Sequence, residues 1–450
     1  MIVSNRGPLS FLRDDSGALV ARRGAGGLVS GLAPLVRHTP TIWLAAAITE
    51  GDREAADSGL IEMDGFRVRT LAPDRDDYRM AYDVVCNATL WFAHHELFAL
   101  AVQPVFDEPW WEAWDAYRRM NGFFADAVAD TAPDGAVVLV QDYHLALVTT
   151  ALGDRRPDLR MVHFSHTPFA GPDGLRVLPP SVRTELLAGM VAHHACGFHT
   201  RRWAEAFKGC CDANLGLQPT TFVSALAPDP DDIGAVARSP ACRNALAALD
   251  EALGGRQLIA RVDRIELSKN LLRGFAAFDE LLRRYPEYRD QVVFGAFVYP
   301  SREGLDSYVS YRHAVADAVA VINERWGTSE WTPVLYDDSD DFPRSVAALR
   351  RYDALLVNPI RDGLNLVAKE GPLVNDGDGV LILSSEAGAF EELGGVALEV
   401  HPYDVRATAD ALHRALTMTT AERSAHASSV RKIASARTAA DWLADQLAAV

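Results

Sequence analysis

The residues best suited to chemistry follow a short apolar run, in the stretch DALLVNPIRDGLNLVAKEG at 353–371. The run at 354–357 predicts a buried strand, and a charged turn containing Asp362 and Gly363 comes directly after it. Glu370 stands further along, inside the next helical pattern. Because ligands of parallel α/β sheets bind beyond the carboxyl ends of the strands, we expect this turn and Glu370 to contact a ligand.

Two cations, Arg264 and Lys269, follow a second strand pattern at 257–263. A lone surface Arg or Lys is usually only solvated. Two cations at the carboxyl end of a strand instead favour a diphosphate, above all a diphosphate leaving group that gains charge.

Three glycines, Gly24, Gly26 and Gly27, precede a helical pattern near the N-terminus. Glycine lets the backbone approach a phosphate, and the N–H groups at a helix start favour its charge. The stretch is neither a Walker loop nor G-x-G-x-x-G. A tight connection is therefore an equally good interpretation.

Asp142 and His166 stand at the ends of neighbouring strand patterns. A carboxylate and an imidazole there could bind sugar hydroxyls or act in acid–base chemistry, although a lone histidine at a strand end is usually structural. Tyr82 and Trp91 fit a ligand site or the core equally well.

The acidic run DDSDD contains Asp338-Ser339-Asp340, a spacing that can hold a metal bound to a nucleotide sugar. Such a run is more often a solvated loop. We therefore predict no metal site and no cofactor.

Short apolar runs alternate with longer helical patterns, which predicts the α/β class with parallel sheets flanked by helices. A chain of 450 residues is too long for one ordinary core. The Pro- and Asp-rich stretch 226–234 is the best hinge, so we predict doubly wound domains at 1–235 and 236–450, with the final helix, 438–450, able to pack back on the first. The clearest predicted strands are 137–145, 161–169, 257–263, 292–300, 354–360 and 379–388.

Composition excludes several classes of protein. With 44 Lys and Arg against 61 Asp and Glu, a formal charge of −17 argues against a nucleic-acid surface. No apolar run approaches the roughly 20 residues of a membrane span, and the start lacks a signal-peptide layout. The 5 cysteines show no C-x-x-C spacing, which predicts neither disulfides nor zinc and favours the cytoplasm. The composition is compatible with a homo-oligomer.

An ordered series of motifs resembles the trehalose-6-phosphate synthase family, glycosyltransferase family 20, and more narrowly its actinobacterial branch. The motif RDGLNLVAKE is the most specific, and the series covers nearly the whole chain. The resemblance implies the GT-B fold, in which two Rossmann-like domains face each other across a cleft. The motifs are SNRGP, GAGGL, NATLW, QDYHL, SHTPF, SKN, PSR, NPIRDGLNLVAKEG, SEAGAFEEL and HPYD.

The resemblance also implies a role for each matching residue. Arg264 and Lys269 match the cations that bind the donor diphosphate, Asp362 matches a contact to the transferred glucose, and Glu370 matches the carboxylate on the donor ribose. Gly26 and Gly27 belong to the loop near the donor phosphates. The backbone of Gly363, Leu364, Asn365, Leu366 and Val367 matches the remaining sugar and diphosphate contacts.

On the acceptor side, Asp142 matches a contact to an acceptor hydroxyl, and His166 matches a further contact to the transferred glucose. The cluster that binds the acceptor's sugar phosphate is matched by Arg6, Tyr82, Trp91 and Arg302. We expect Arg264, Lys269, Asp362, Asp142 and His166 to be the catalytic set.

The implied reaction is retaining transfer of glucose from a nucleoside diphosphate glucose to glucose 6-phosphate, giving trehalose 6-phosphate. The leaving phosphate accepts the acceptor's proton, so no protein nucleophile is needed. Two alternatives stay open. One is a transferase with another acceptor, such as a glucosylglycerol-phosphate synthase or a pseudoglycosyltransferase, and the other is a non-catalytic sugar-phosphate sensor.

The chain departs from the widespread family pattern at a few positions. Gln141 stands where many members have His, RIELSKN replaces R-L-D-Y-S-K-G, and Asn358 stands where Thr is common. The Asn358 amide could pair with the mixed edge of a purine, or it could only cap the strand before Pro359. The combination of RIELSKN, VYPSRE and NPIRDGLN resembles the actinobacterial branch of the family, and this resemblance implies GDP-glucose rather than UDP-glucose or ADP-glucose as the donor.

Overall fold

The computed structural model describes residues 1–14, 16–24 and 27–450. The chain divides into two compact units. The first unit comprises Met1–Leu226 together with Ala439–Val450, and the second comprises Ala227–Thr438. Each unit is built around its own parallel sheet.

The sheet of the first unit has eight strands in the order β10-β9-β8-β7-β1-β4-β6-β5. All neighbours pair in parallel except β5, which runs antiparallel to β6. Strands β2 and β3 form a separate antiparallel pair. The strands are β1 (Ile2–Ser4), β2 (Leu9–Arg13), β3 (Leu19–Arg23), β4 (Ile42–Ala46), β5 (Leu60–Met63), β6 (Phe66–Leu71), β7 (Val137–Gln141), β8 (Arg160–Ser165), β9 (Ala195–Phe198) and β10 (Thr221–Val223).

Helices flank this sheet, and a π-helical stretch, Met80–Leu90, runs directly into one of them. The helices are α1 (Gly27–Val36), α2 (Glu50–Ala56), α3 (Arg75–Arg79), α4 (Trp91–His95), α5 (Glu108–Thr131), α6 (Val148–Leu152), α7 (Pro172–Leu175), α8 (Pro180–Val191) and α9 (Arg201–Leu215).

The second unit has a six-stranded parallel sheet in the order β13-β12-β11-β14-β15-β16. Its strands are β11 (Gln257–Ile265), β12 (Val292–Pro300), β13 (Val334–Asp337), β14 (Ala354–Val357), β15 (Val380–Ser384) and β16 (Leu398–Val400). Its helices are α10 (Pro230–Ala237), α11 (Pro240–Leu253), α12 (Leu271–Arg284), α13 (Asp306–Trp326), α14 (Phe342–Arg351), α15 (Val367–Val374), α16 (Phe390–Leu393), α17 (Val405–Thr417) and α18 (Thr420–Ala434). The last helix, α19 (Ala439–Ala448), belongs to the first unit.

The sequence patterns form these elements for the expected reasons. All four residues of β14 are buried, as befits a strand covered on both faces. Helix α12 buries Leu271, Phe275, Phe278 and Leu282 on one face. The predicted α/β class and its parallel strands are therefore confirmed.

The predicted hinge contains the start of a helix. The Asp229 side chain accepts hydrogen bonds from the N–H groups of Asp231 and Asp232, and Pro230 occupies the first turn of α10. The Pro- and Asp-rich composition of 226–234 thus reflects helix capping, and the predicted boundary at 235/236 falls inside α10.

The five cysteines are buried as thiols. In the part of the chain that the structure describes, no helix combines the length and apolar character needed to cross a membrane.

Candidate active site

The ion pair between Lys269 and Asp362 lies at the carboxyl ends of two adjacent strands of the second unit. Lys269 ends a short turn that follows β11, and Asp362 follows β14. The Lys269 Nζ atom lies 2.5 Å from Asp362 Oδ2, with the two side chains only 11% and 13% exposed. Lys269 and Asp362 are 93 positions apart in the sequence, yet they lie together at the carboxyl edge of the sheet, where parallel sheets bind ligands.

A second carboxylate supports the Lys269 cation. Asp263 Oδ1 lies 3.8 Å from Lys269 Nζ, and Asp263 Oδ2 lies 3.1 Å from Nη2 of the buried Arg261. Burial lowers the pKa of Lys269, but the charges of Asp362 and Asp263 outweigh that effect and hold it above its ordinary value. Lys269 therefore stays a cation.

Glu266 organises the second cationic pair. Its carboxylate is fully buried, lies 2.8 Å from Arg264 Nη2, and also accepts a hydrogen bond from Arg302. The Tyr308 hydroxyl donates to the same carboxylate at 3.1 Å. The Arg264 side chain is 35% exposed, so Glu266 orients its guanidinium while part of the side chain still contacts solvent.

These groups form a cluster with more cations than carboxylates. Four cations face three carboxylates, and the most exposed cation is Arg264. A diphosphate at this strand edge would meet a surplus of positive charge. The cluster comprises Arg261, Arg264, Lys269, Arg302, Asp263, Glu266 and Asp362.

Backbone hydrogen bonds hold the turn that carries Asp362. Its N–H donates to the carbonyl of Glu386 at 3.1 Å, and its own carbonyl accepts from Gly388 N–H at 3.0 Å. The Asn365 amide donates to Asp362 Oδ2 at 3.1 Å, from a residue with φ of 73°. A Cβ on Gly388 would lie 1.9 Å from the carbonyl oxygen of Gly363, so glycine is required for the two segments to approach.

Helix α15 begins at Val367, immediately after Gly363, Leu364, Asn365 and Leu366. The N–H groups at its start supply the positive end of a helix dipole on the same side as the cations. Glu370 lies in the first turn of α15. Burial, together with the nearby charge of Asp232, raises the pKa of Glu370 to about 7.

Asn358 is enclosed by protein and is only 1% exposed. Its Oδ1 atom accepts a hydrogen bond from Arg261, and its backbone carbonyl accepts one from Asn270 Nδ2 at 2.9 Å. The amide oxygen is therefore committed to an internal cation. Asn358 does not present the mixed donor and acceptor edge that we predicted for pairing with a purine.

In the first unit, Asp142 lies directly after β7 in an unusual backbone conformation, with φ of 71°. The backbone N–H of His166 donates to Asp142 Oδ1 at 3.2 Å. Asp142 Oδ2 lies 3.9 Å from His144 Nδ1, and the His144 ring stacks on Tyr82 with centroids 5.8 Å apart. The structure thus brings Asp142, His166 and Tyr82 close together.

The imidazole of His166 makes protein contacts through both nitrogens. Its Nε2 lies 3.0 Å from Gln141 Oε1, and its Nδ1 lies 3.2 Å from His199 Nε2. Burial, with a further contribution from His199, places the pKa of His166 well below its ordinary value. The ring is therefore neutral and is oriented by two neighbouring side chains, while the contact between His166 and the transferred glucose stays a prediction.

The remaining predicted residues differ in their surroundings. Arg6 is exposed shortly after β1, whereas Trp91 is buried and stacks on His95 with centroids 3.9 Å apart, as a core aromatic does. Arg302 belongs to the other unit. Gly27 begins α1, and Gly26 lies outside the described residues.

The acidic loop at Asp338 is tied to the protein by an ion pair. Arg312 Nη2 lies 2.8 Å from Asp338 Oδ2. Across 1–14, 16–24 and 27–450, no group of three or more His, Cys, Asp or Glu side chains is arranged to hold a metal ion.

Sequence reasoning missed four residues that organise the site. Arg261, Asp263 and Glu266 flank the predicted cations within RVDRIELSK, and His144 belongs to the motif QDYHL. A signal was present, because charged residues in a strand that is otherwise buried need partners. Which cation each carboxylate pairs with depends on the folded strand ends.

The family model for glycosyltransferase family 20 matches residues 1–450. A curated relative, alpha,alpha-trehalose-phosphate synthase [UDP-forming] 2 of Aspergillus niger, is 32% identical, with 98% of this chain and 94% of that protein covered.

Solved structures agree with this match. A UDP-forming alpha,alpha-trehalose-phosphate synthase from Burkholderia xenovorans in complex with glucose-6-phosphate has a TM-score of 0.85, with 28% identity over 99% of this chain and 98% of that one. A structure from E. coli bound with UDP-2-fluoro glucose has a TM-score of 0.85, with 29% identity over the same shares. From these matches and from its two α/β units of GT-B type, the chain belongs to glycosyltransferase family 20, whose similar members are trehalose-phosphate synthases.

Proposed function

We propose that this chain is a retaining glucosyltransferase that moves glucose from a nucleoside diphosphate glucose to glucose 6-phosphate, forming trehalose 6-phosphate. The observation that carries the proposal is the cluster around the 2.5 Å pair of Lys269 and Asp362, with the more exposed Arg264 beside it. The names of the relatives support the same reaction and the same acceptor.

The proposed chemistry uses the charges of the cluster. As the glycosidic bond stretches, positive charge grows on the glucose ring and negative charge grows on the diphosphate. Lys269 and Arg264 stabilise the diphosphate, and because Asp263 and Glu266 already hold them in place, little reorganisation is needed during the reaction. Asp362 binds the transferred glucose, and the leaving phosphate takes the acceptor's proton.

On the acceptor side, we propose that Asp142 binds a sugar hydroxyl, with Tyr82 close by. The 3.2 Å hydrogen bond from the His166 backbone holds this carboxylate. Arg6, an exposed cation shortly after β1, belongs to the proposed sugar-phosphate set. A transferase with a different acceptor would use the same donor cluster, so a panel of acceptors with products identified by mass and NMR distinguishes it. A non-catalytic sensor would form no product with any of them.

We also propose a cytoplasmic location for the enzyme, supported by five buried cysteine thiols, which suit a reducing compartment.

Lys269→Ala and Arg264→Ala should each lower kcat by about 10²- to 10³-fold, the usual effect of removing one preorganised charge-stabilising group. Steady-state rates of trehalose 6-phosphate formation measure this loss. Arg283→Ala is the matched control, because Arg283 is an exposed cation that pairs with Glu280 one turn away on the same helix. Near-normal kcat in either folded site variant would overturn the proposed role of the cations.

Binding of the nucleoside diphosphate should weaken as the pH falls from 8 to 6. The pKa of Glu370, raised to about 7, means that the carboxylate gains a proton across this range and accepts ribose hydroxyl hydrogen bonds less well. Calorimetry on wild type and Glu370→Gln isolates this effect, since titration of the ligand's own phosphate is common to both. An identical pH dependence in the two proteins would contradict the assignment of Glu370 to the ribose.

Transfer should proceed without a divalent metal, because side-chain cations neutralise the leaving diphosphate in the proposed mechanism. The rate after exhaustive treatment with EDTA should stay within about twofold of the untreated rate, a small difference beside the effect of losing a charge-stabilising group. Activity that EDTA abolishes and manganese restores would show that the mechanism is wrong.

For the donor base, GDP-glucose stays our prediction from the sequence, while the relatives named UDP-forming support UDP-glucose. Because Asn358 is buried and its Oδ1 is held by Arg261, its proposed effect on the choice of base is indirect. We expect kcat/KM to be highest with GDP-glucose among the GDP, UDP and ADP donors, and Asn358→Thr to reduce that preference. A ranking led by UDP-glucose and unchanged in Asn358→Thr would reject both the donor and the role of Asn358.

A further inference from the structure

A continuous chain of hydrogen bonds crosses the interior of the first unit. The backbone N–H of Leu226 donates to His199 Nδ1 at 3.3 Å, and His199 Nε2 lies 3.2 Å from His166 Nδ1. His166 Nε2 lies 3.0 Å from Gln141 Oε1, and Gln141 Nε2 donates to Gln446 Oε1 at 3.0 Å. These hydrogen bonds therefore connect the ends of strands β7, β8 and β9 to the last helix, α19.

The direction of every hydrogen bond follows from its first donor. A backbone N–H can only donate, so His199 Nδ1 must accept, and the proton of a neutral His199 ring lies on Nε2. That N–H donates to His166 Nδ1, which puts the His166 proton on Nε2, facing Gln141 Oε1. The Gln141 amide then has only one orientation, with its nitrogen toward Gln446.

Helix α19 supplies Gln446, the last acceptor in this series of hydrogen bonds. Gln446 and Trp442 lie one helical turn apart, and both are fully buried. The centroid of the Trp442 ring lies 5.7 Å from the centroid of the His166 ring and 5.0 Å from that of the Phe164 ring. The Ser224 hydroxyl donates to Asp445 Oδ2 at 2.7 Å, which anchors the same helix beside β10.

His166 connects the hydrogen-bonded series to Asp142 through its backbone. Its ring is fixed between Gln141 and His199, while its backbone N–H donates to Asp142 Oδ1 at 3.2 Å. Asp142 has φ of 71°, in the left-handed region that favours glycine, so its conformation needs support from neighbours. A ring free to rotate would loosen the backbone that holds this carboxylate.

We propose that Gln446 and Gln141 are positioning residues for the transferase reaction, which fix the orientation of the His166 ring and thereby hold Asp142 against the sugar. The inference rests on the proposed function for the role of Asp142. It assigns to α19 a part in the chemistry as well as in packing. In this proposal the backbone N–H of His166 holds Asp142, while its half-buried imidazole links Gln141 to His199.

The test uses NMR of the full-length protein labelled with ¹⁵N-histidine, with His166→Gln for assignment. Wild-type His166 should show the Nε2–H tautomer. Gln446→Leu removes the acceptor for Gln141 Nε2, which should loosen Gln141, weaken its hydrogen bond with His166 Nε2–H, shift the His166 Nε2 resonance and speed exchange of its proton. Gln446→Glu, whose protonated form keeps an acceptor oxygen in nearly the same shape, should restore the wild-type resonance.

Kinetics separate positioning from stability. Measured well below the unfolding temperature, Gln446→Leu should lose about tenfold in kcat, since small misplacement of a substrate-binding group costs this much or more. Gln446→Glu should recover most of that loss, and Leu447→Ala, on the exposed face of α19, should match wild type.

The outcomes distinguish the two proposals. If Gln446→Leu keeps both the wild-type His166 Nε2 resonance and the wild-type kcat, or if Gln446→Glu is as slow as Gln446→Leu, the positioning role is overturned. A wild-type chain that forms no trehalose 6-phosphate would overturn the proposed function, while the NMR spectra would still decide the order of the hydrogen bonds.

Discussion

Charge taken out of water must be compensated, and this constraint shapes the strand ends of the second unit. Lys269 and Asp362 lie 2.5 Å apart with little exposure, and the fully buried Glu266 lies 2.8 Å from Arg264. An unpaired ion in either place would carry a large desolvation cost. The carboxylates therefore keep the cations charged and oriented.

The parallel sheet is what makes this cluster reachable by a ligand. Strands β11 and β14 are neighbours, so the segments that follow them emerge side by side. The Asp362 turn is locked by backbone hydrogen bonds to Glu386 and Gly388, and α15 starts immediately beyond it. Cations, a carboxylate and a helix N-terminus thus share one edge because of the topology.

In the first unit, the polar groups below the strand ends are neutral and are held by hydrogen bonds instead of ion pairs. His199 and the two glutamines are buried and His166 is half-buried, and these neutral groups satisfy one another by hydrogen bonds. A backbone N–H at one end sets the direction of the whole chain. The result is a rigid support for Asp142, obtained from directional hydrogen bonds, whereas the diphosphate cluster depends on charge.

The sequence by itself determined the α/β class, the positions of the main strands, and the cations and carboxylates of the specific motifs, because burial patterns and strand-end residues are local properties. Tertiary structure alone decided which charges pair, that Asn358 accepts a hydrogen bond from Arg261, and that α19 belongs to the first unit. Gln141 and Gln446 lie 305 positions apart, and no local pattern links them. Partner choice among buried polar groups depends on distances that exist only after the chain has folded.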